Sequence, residues 1–314
     1  MHANIPVKEG FVSFRSHKTW YRMVGDLQAP GRLPLLCLHG GPGATHDYLS
    51  PLEALAAGGR GVVFYDQLGS GNSDPLRGSS LWMIDLFLEE LDQVCRTLEL
   101  KGVHLLGHSW GGQLALEYAL RGGSPLASLI LADSLASSLQ WASEADRLRA
   151  DLPADVQQTL LKHETAKTTD SPEYQQACKV YYRLHGCLMD PLSRPEWLKQ
   201  AFEKLDSNPE AYQTMWGPSE FCVSGTLKDW DITGRLGGIR IPTLIVCGRH
   251  DEATPALAGT LQRGIPDSEL VIFEHSGHFP HIDETERYLK VLEQFLNRVE
   301  TQRLPSVAGA IQDE

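Results

Sequence analysis

Short apolar runs alternate along most of the chain with segments whose apolar residues recur at helical spacing. Leu35-Leu36-Cys37-Leu38 and Val62-Val63-Phe64-Tyr65 have the length and composition of buried parallel strands. Ile84, Leu88, Leu91, Cys95 and Leu98 then fall on one face of a helix. The run Val103 to Leu106 reads as another strand, followed by a helix pattern from Gly112 to Leu120 that Arg121-Gly122 stops. Leu126 to Ala132, Thr243 to Cys247 and Leu270 to Phe273 are further strand candidates, and Tyr288, Val291, Leu292, Phe295 and Val299 share one face of a last helix. Ahead of them, Gly10 to Asp26 reads as a β-hairpin. This alternation predicts an α/β fold, a mostly parallel doubly wound sheet with right-handed crossovers.

Residues 135–235 break the rhythm. Tyr174, Ala177, Cys178, Tyr181 and Tyr182 recur as on a helix face, and Ser193-Arg194-Pro195-Glu196 and Ser207-Asn208-Pro209-Glu210 read as helix starts with Glu at the third position. The expected organisation is a core of residues 1–134 and 236–300, an inserted helical cap of residues 135–235, and a disordered polar tail over 301–314. Trp141, Trp197, Trp216 and Trp230 lie in the insertion. They read mainly as its core, with one or two turned toward a pocket.

With Lys plus Arg at 28 and Asp plus Glu at 40, the net charge is −12, which argues against nucleic-acid and anionic-membrane partners. Neither a secretory leader after Met1 nor an apolar stretch long enough to cross a bilayer is visible. Cys37, Cys95, Cys178, Cys187, Cys222 and Cys247 form no C-x-x-C pair and read as reduced core thiols. A cytoplasmic location is therefore expected. The pattern specifies no oligomeric state.

The chemistry begins at Gly107-His108-Ser109-Trp110-Gly111, a G-x-S-x-G at the junction of a strand and a helix. Small flanking residues let the chain turn sharply there and present Ser109 as a nucleophile. A serine hydroxyl needs a base, and that base needs an acid to orient it. In enzymes built on such an elbow the three follow in the chain order serine, acid, histidine. Asp251 after the Thr243–Cys247 strand is the expected acid, with Asp133 as a rival at the end of another strand. His278 in the Ser-Gly-His turn after the Leu270–Phe273 strand is the expected base, with His275 and His281 as competitors. His108 reads as packing. His278 and His281 have no third ligand at a zinc spacing, so no metal is expected.

The tetrahedral intermediate needs donors aimed at its oxyanion. The backbone N–H groups of Trp110 and of Gly41, in His39-Gly40-Gly41-Pro42-Gly43, are the candidates. The Asp66–Ser73 segment contains a G-x-G without a G-x-x-G continuation, so it reads as a structural turn and no cofactor is expected.

At these residues the chain resembles the proline iminopeptidase branch of the α/β-hydrolases. The resemblance rests on His39 to Gly43, the Asp66–Ser73 loop, Gly107 to Gly112 and Asp251-Glu252-Ala253-Thr254-Pro255. It extends over about residues 8 to 300, through Gly217 to Phe221 and Gly225 to Asp231. Within the branch the chain looks closest to L-proline amide and L-amino-acid amide hydrolases. The resemblance implies an α/β-hydrolase fold and a substrate whose free α-ammonium is held by Glu220 and Glu252. Read without it, Glu252 is a turn cap and Glu220 a solvated residue of the insertion. A pyrrolidine or small apolar side chain would rest against Trp110, Trp216 or Phe221. The expected function is a serine hydrolase cleaving the amide or peptide bond after an N-terminal residue, preferably proline, in a small amide or short peptide with a free α-amine. An esterase or lactonase would use the same triad without the two glutamates. A catalytically silent binding protein would not need the intact serine, acid, base and oxyanion loop.

Overall fold

The structure is a computed structural model that describes residues 5–78, 81–123 and 125–303. Among the described residues, eight strands form one sheet in the order β1-β2-β4-β3-β5-β6-β7-β8. β1 (Val7–Phe14) and β2 (His17–Val24) make the expected hairpin, and β2 runs antiparallel to β4 (Val62–Tyr65). From β4 onward every pairing is parallel, through β3 (Leu35–Leu38), β5 (Val103–His108), β6 (Leu126–Ala132), β7 (Thr243–Gly248) and β8 (Glu269–Phe273). The central strands are apolar on both faces because both faces are covered. Leu36 and Leu38 of β3 belong to one apolar cluster, Leu35 and Cys37 to another on the opposite side. The first cluster packs helices α1 (Ile84–Thr97) and α2 (Trp110–Arg121) and part of the long insertion. The second packs the 3₁₀ helix His46–Gly58 and the last helix.

Between β6 and β7 the chain leaves the sheet for helices α3 (Ser138–Ala150), α4 (Ala154–Ala166), α5 (Pro172–His185), α6 (Glu196–Ser207) and α7 (Glu210–Met215). Tyr174, Ala177, Cys178 and Tyr181 on α5 are buried, as their spacing predicts. The helix starts expected at Ser193 and Ser207 fall later. Glu196 and Glu210 open α6 and α7, each behind a proline, where a carboxylate in the first turn suits the helix dipole. Ser207 instead closes α6. Helices α8 (Pro255–Gly264), α9 (Pro280–Asp283) and α10 (Thr285–Arg303) complete the described residues. Among the described residues, no helix is long and apolar enough to cross a membrane. All six cysteines are free thiols, five of them buried.

Where a tail is expected from Thr301, the residues Thr301, Gln302 and Arg303 continue α10; the remainder of that stretch lies outside the described residues. Glu300 explains the extension. Its carboxylate accepts both guanidinium nitrogens of Arg60 at 2.6 and 2.9 Å and the N–H of Leu33 at 2.7 Å, with His104 Nε2 at 3.3 Å. These partners precede β4 and β3 and lie on β5, at the end of the sheet away from Ser109. Glu300 thereby fastens α10 beneath it. Desolvation opposes the charge, but His104, Arg60 and the Leu33 amide together hold the carboxyl well below its ordinary range. Its stabilisation is present above the unfolded carboxylate pKa and is lost as pH falls toward the depressed folded value. Arg60→Ala removes two of that carboxylate's bonds while Arg32 stays 3.2 Å from it, and is expected to cost about 1.5–3 kcal/mol in urea unfolding at pH 7, with catalytic parameters unchanged once folded.

Candidate active site

The serine sits where the sequence pattern places it, on a backbone that few side chains adopt. Ser109 lies between β5 and α2 with φ 55° and ψ −120°. Holding a non-glycine residue there costs on the order of 1–3 kcal/mol, so the surroundings must enforce it. They do so by close backbone packing. A Cβ on Gly107 would stand 2.2 Å from the carbonyl oxygen of Gly111, and one on Gly111 would stand 2.4 Å from that of Leu38. The elbow is thus pressed against the end of β3. Ser109 N–H donates to the Ala132 carbonyl at 2.9 Å, and the Ser134 hydroxyl donates to the Ser109 carbonyl at 2.9 Å.

His278 and Asp251 arrive on the loops after β8 and β7. His278 Nδ1 donates to Asp251 Oδ1 at 2.7 Å, which leaves Nε2 as the nitrogen able to take a proton. The Ala253 N–H also donates to Asp251 Oδ1, at 2.7 Å. The His278 N–H is shared between the His185 and Gly186 carbonyls at 3.1 and 2.9 Å, so the end of α5 seats the base. Burial disfavours the imidazolium, but the charge and hydrogen bond of Asp251, with Glu220 behind it, raise the His278 pKa above its ordinary value.

The rivals go elsewhere. His275 is exposed, and His281 faces the Tyr48 carbonyl at 3.1 Å, with burial pushing its pKa down to about 3. His108 is structural, as expected. Its Nε2–H donates to the His278 carbonyl at 2.8 Å, and its Nδ1 lies 3.0 Å from the Tyr48 hydroxyl. Asp133 is buried behind Asp251 rather than hydrogen-bonded to His278.

The glycine-rich loop lies against the elbow. A Cβ on Gly40 would come within 3.0 Å of Ser109 Cβ, and the Gly40 N–H donates to the Tyr48 hydroxyl at 2.7 Å. Gly41 has φ 108°, and any Cβ there would meet the Gly43 and Ala44 nitrogens at 2.6 and 2.7 Å. Trp110 is the first residue of α2, where a backbone N–H has no acceptor within its own helix. The Asp66–Ser73 turn braces both candidate donors. Gln67 gives its amide N–H to the His39 carbonyl at 2.9 Å and accepts from the Trp110 indole at 2.8 Å.

Two further acids lie close to the base. Glu252 is buried next to Asp251, and its Oε2 has no hydrogen-bond partner among the described residues. Burial first, then the charges of Glu220 and Asp251, push its carboxyl well above the usual range. Glu220 is half-buried and accepts the Tyr212 hydroxyl at 2.6 Å. Burial raises its pKa too, against the lowering effects of Tyr212 and His278. Neither glutamate is the solvated residue or simple turn cap that sequence position alone allows.

The aromatic residues divide. Trp216 lies 5.4 Å from Trp141 in an edge-on contact, and Trp141 stands 6.2 Å from the His278 ring and donates its indole N–H to the Glu220 carbonyl. Trp141, which its sequence position does not distinguish from the other tryptophans of the insertion, is thus a ring set beside the base. Phe221 is enclosed by Tyr174, Tyr181 and Tyr182 with the Arg149 guanidinium 4.9 Å over its face. The Trp110 ring packs inward on Phe87. Those two expected pocket walls are core residues. Tyr212 escapes sequence reasoning altogether, since a lone tyrosine in a helical segment carries no signal.

An elbow serine at the end of a parallel strand, with an aspartate and a histidine on the loops of the next strands, defines an α/β hydrolase. Residues 34–285 match the family described as the alpha/beta hydrolase fold. The proline iminopeptidase of Heyndrickxia coagulans is 40% identical over 93% of this chain and 99% of its own. The crystal structure of VinJ superposes with a TM-score of 0.89 at 43% identity, covering 93% of this chain and 99% of that one. That of the Mycobacterium smegmatis proline iminopeptidase gives 0.86 at 39%, over 94% and 99%. The chain belongs to the proline iminopeptidase family of α/β hydrolases.

Gly41→Ala is expected to slow labelling of Ser109 by a fluorophosphonate on the order of a hundredfold, because the loop must move away from the developing oxyanion. Gly122 has φ 67° and no atom within 4 Å of the place a Cβ would occupy, so it supplies the control. Gly122→Ala should cost about 1 kcal/mol in urea unfolding and leave labelling unchanged.

Proposed function

We propose that this enzyme removes an N-terminal residue, preferably proline, from short peptides or amides that carry a free α-amine. Ser109 Oγ attacks the carbonyl carbon as His278 Nε2 takes its proton, and Asp251 steadies the resulting imidazolium. The N–H groups of Trp110 and Gly41 receive the oxyanion. His278 returns the proton to the departing nitrogen, leaving an aminoacyl ester on Ser109. Water, activated in turn by His278, then releases the amino acid. Peptide and amide differ only in the leaving group, so both suit this chemistry. The helical insertion serves as a cap that brings Glu220 to the core, and six reduced thiols fit a cytoplasmic location.

The observation that carries the reading is the pair Glu220 and Glu252 beside the base. Two carboxyl groups brought together, one of them buried, resist ionising together without a cation, and an α-ammonium supplies one. An N-acylated substrate brings none. The steady-state test is hydrolysis of L-prolinamide and Pro-Gly, abolished in Ser109→Ala; failure of the wild type on both would end the proposal. Glu252→Gln and Glu220→Gln are each expected to lower kcat/KM for L-prolinamide about a hundredfold, through KM, while fluorophosphonate labelling stays near wild type.

The pH dependence follows from the same groups. Labelling requires only neutral His278, so its rate should rise with pH through a single ionisation above the ordinary histidine value of about 6.5. Prolinamide turnover also requires the ionised acid pair, whose pKa values are raised. Its acid limb is therefore expected to be steeper than that of labelling, and identical slopes would remove the pair from substrate binding.

A further inference from the structure

Asp133 is a buried strand-end acid that this chemistry leaves unused. It follows β6 directly and is completely buried, with φ 51°, a conformation that aspartate and asparagine tolerate better than most residues. Its N–H donates to the Val246 carbonyl at 2.9 Å, and its Oδ1 accepts the Gly248 N–H at 3.2 Å. Backbone and carboxyl are thus both pinned to β7, the strand that leads to Asp251.

The remaining oxygens pose a problem. Asp133 Oδ2 and Asp251 Oδ2 are both buried, and neither receives a hydrogen bond from a described residue. His108 Nε2 stands 3.8 Å from Asp133 Oδ2, but its N–H is already given to the His278 carbonyl. Asp133 follows β6 and is pinned by Gly248 to the end of β7, three residues before Asp251, whose carboxyl is the neighbour that acts most on it after burial. Two bare carboxylates cannot bond to each other, whereas one proton between them satisfies both orphan oxygens. Asp251 already accepts His278 Nδ1 and the Ala253 N–H. Asp133 accepts a single backbone amide. The other titratable groups around Asp133 are His108, Tyr48, Cys247, Asp283 and Tyr288, and none of them is a lysine or arginine.

We propose that Asp133 is a positioning residue that stays neutral at working pH and donates its Oδ2–H to Oδ2 of Asp251. This rests on the reading of Asp251 and His278 as acid and base. Burial and the neighbouring Asp251 charge act in the same direction, raising the Asp133 pKa well above the carboxylate range. The bond fixes the rotation of the Asp251 carboxylate so that Oδ1 faces the imidazole. Neutrality matters equally. A second negative charge here would hold His278 protonated and remove the base.

Asparagine can take the same backbone and donate an N–H in place of the O–H, which makes Asp133→Asn the informative variant. The infrared difference between wild type and Asp133→Asn at neutral pH should show loss of a protonated-carboxyl C=O band. Loss of ionised-carboxylate bands instead would overturn the proposal, whatever the enzyme's activity. Failure of the catalytic reading would show separately, as activity surviving in Ser109→Ala. In kinetics with L-prolinamide, Asp133→Asn should keep kcat within about threefold and leave the acid limb in place, whereas Asp133→Ala loses on the order of tenfold in kcat at unchanged KM. An acid limb displaced to lower pH in Asp133→Asn would mean that a negative charge had been removed, and would refute the assignment. So would equal impairment of the two variants. If Asp133→Ala does not fold, the infrared band and the Asp133→Asn limb still decide.

Discussion

Like charges gathered where water is excluded constrain the whole upper end of this sheet. Asp251, Asp133, Glu252 and Glu220 converge around one imidazole, and no lysine or arginine among the described residues is hydrogen-bonded to any of the four. Such a group persists only if each negative charge has a distinct resolution. Asp251 gains His278 and an amide N–H. Glu220 gains the Tyr212 hydroxyl. Glu252 keeps one oxygen unpartnered, and the proposed function gives it the ammonium of the substrate. Under the proposed function, the same electrostatic frustration that makes these acids costly to ionise would favour a ligand with a free ammonium.

The strain is held by close backbone packing rather than by side chains. The elbow, the glycine-rich loop and the turn presenting His278 meet at contacts that exclude a Cβ, between Gly107 and Gly111, Gly111 and Leu38, and Gly248 and Gly277. Gly277 also lies against the Gly186 carbonyl, so the end of α5 reaches the base by the same device. The carbonyls of His185 and Gly186 then accept the His278 N–H, and that of His185 also accepts from Glu252 at 3.3 Å. One turn of the insertion therefore registers both His278 and Glu252, while Glu300 secures the opposite end of the molecule.

Much of this is legible in residue order. Four-residue apolar runs mark β3 and β4 to the residue, because strands buried on both faces leave no polar positions to blur their ends. Strand-end motifs lead to Ser109, Asp251 and His278, because local turn chemistry and chain order carry that information. Side-chain direction does not show. Trp110 and Phe221 are aromatic residues beside the site in sequence, yet their rings turn into the core, a matter decided by packing alone. Tyr212 and Trp141 are equally invisible in their roles, since each acts through a partner on another segment. The end of α10 is misplaced by sequence pattern because Glu300 reads as a surface charge until Arg60 is brought beneath it. Asp133 is recognisable as an acid at a strand end, but its relation to Asp251 is a contact between β6 and the loop after β7.

The acid pair Glu220 and Glu252 is proposed to select a free α-amine for a serine nucleophile. The most direct measurement compares kcat/KM for L-prolinamide with that for N-acetyl-L-prolinamide at a pH where His278 is neutral. Leaving the pair without its cation should cost about 3–5 kcal/mol, so the free amine is predicted to be preferred by at least about a hundredfold. Equal rates, or a preference for the acetylated amide, would contradict the account.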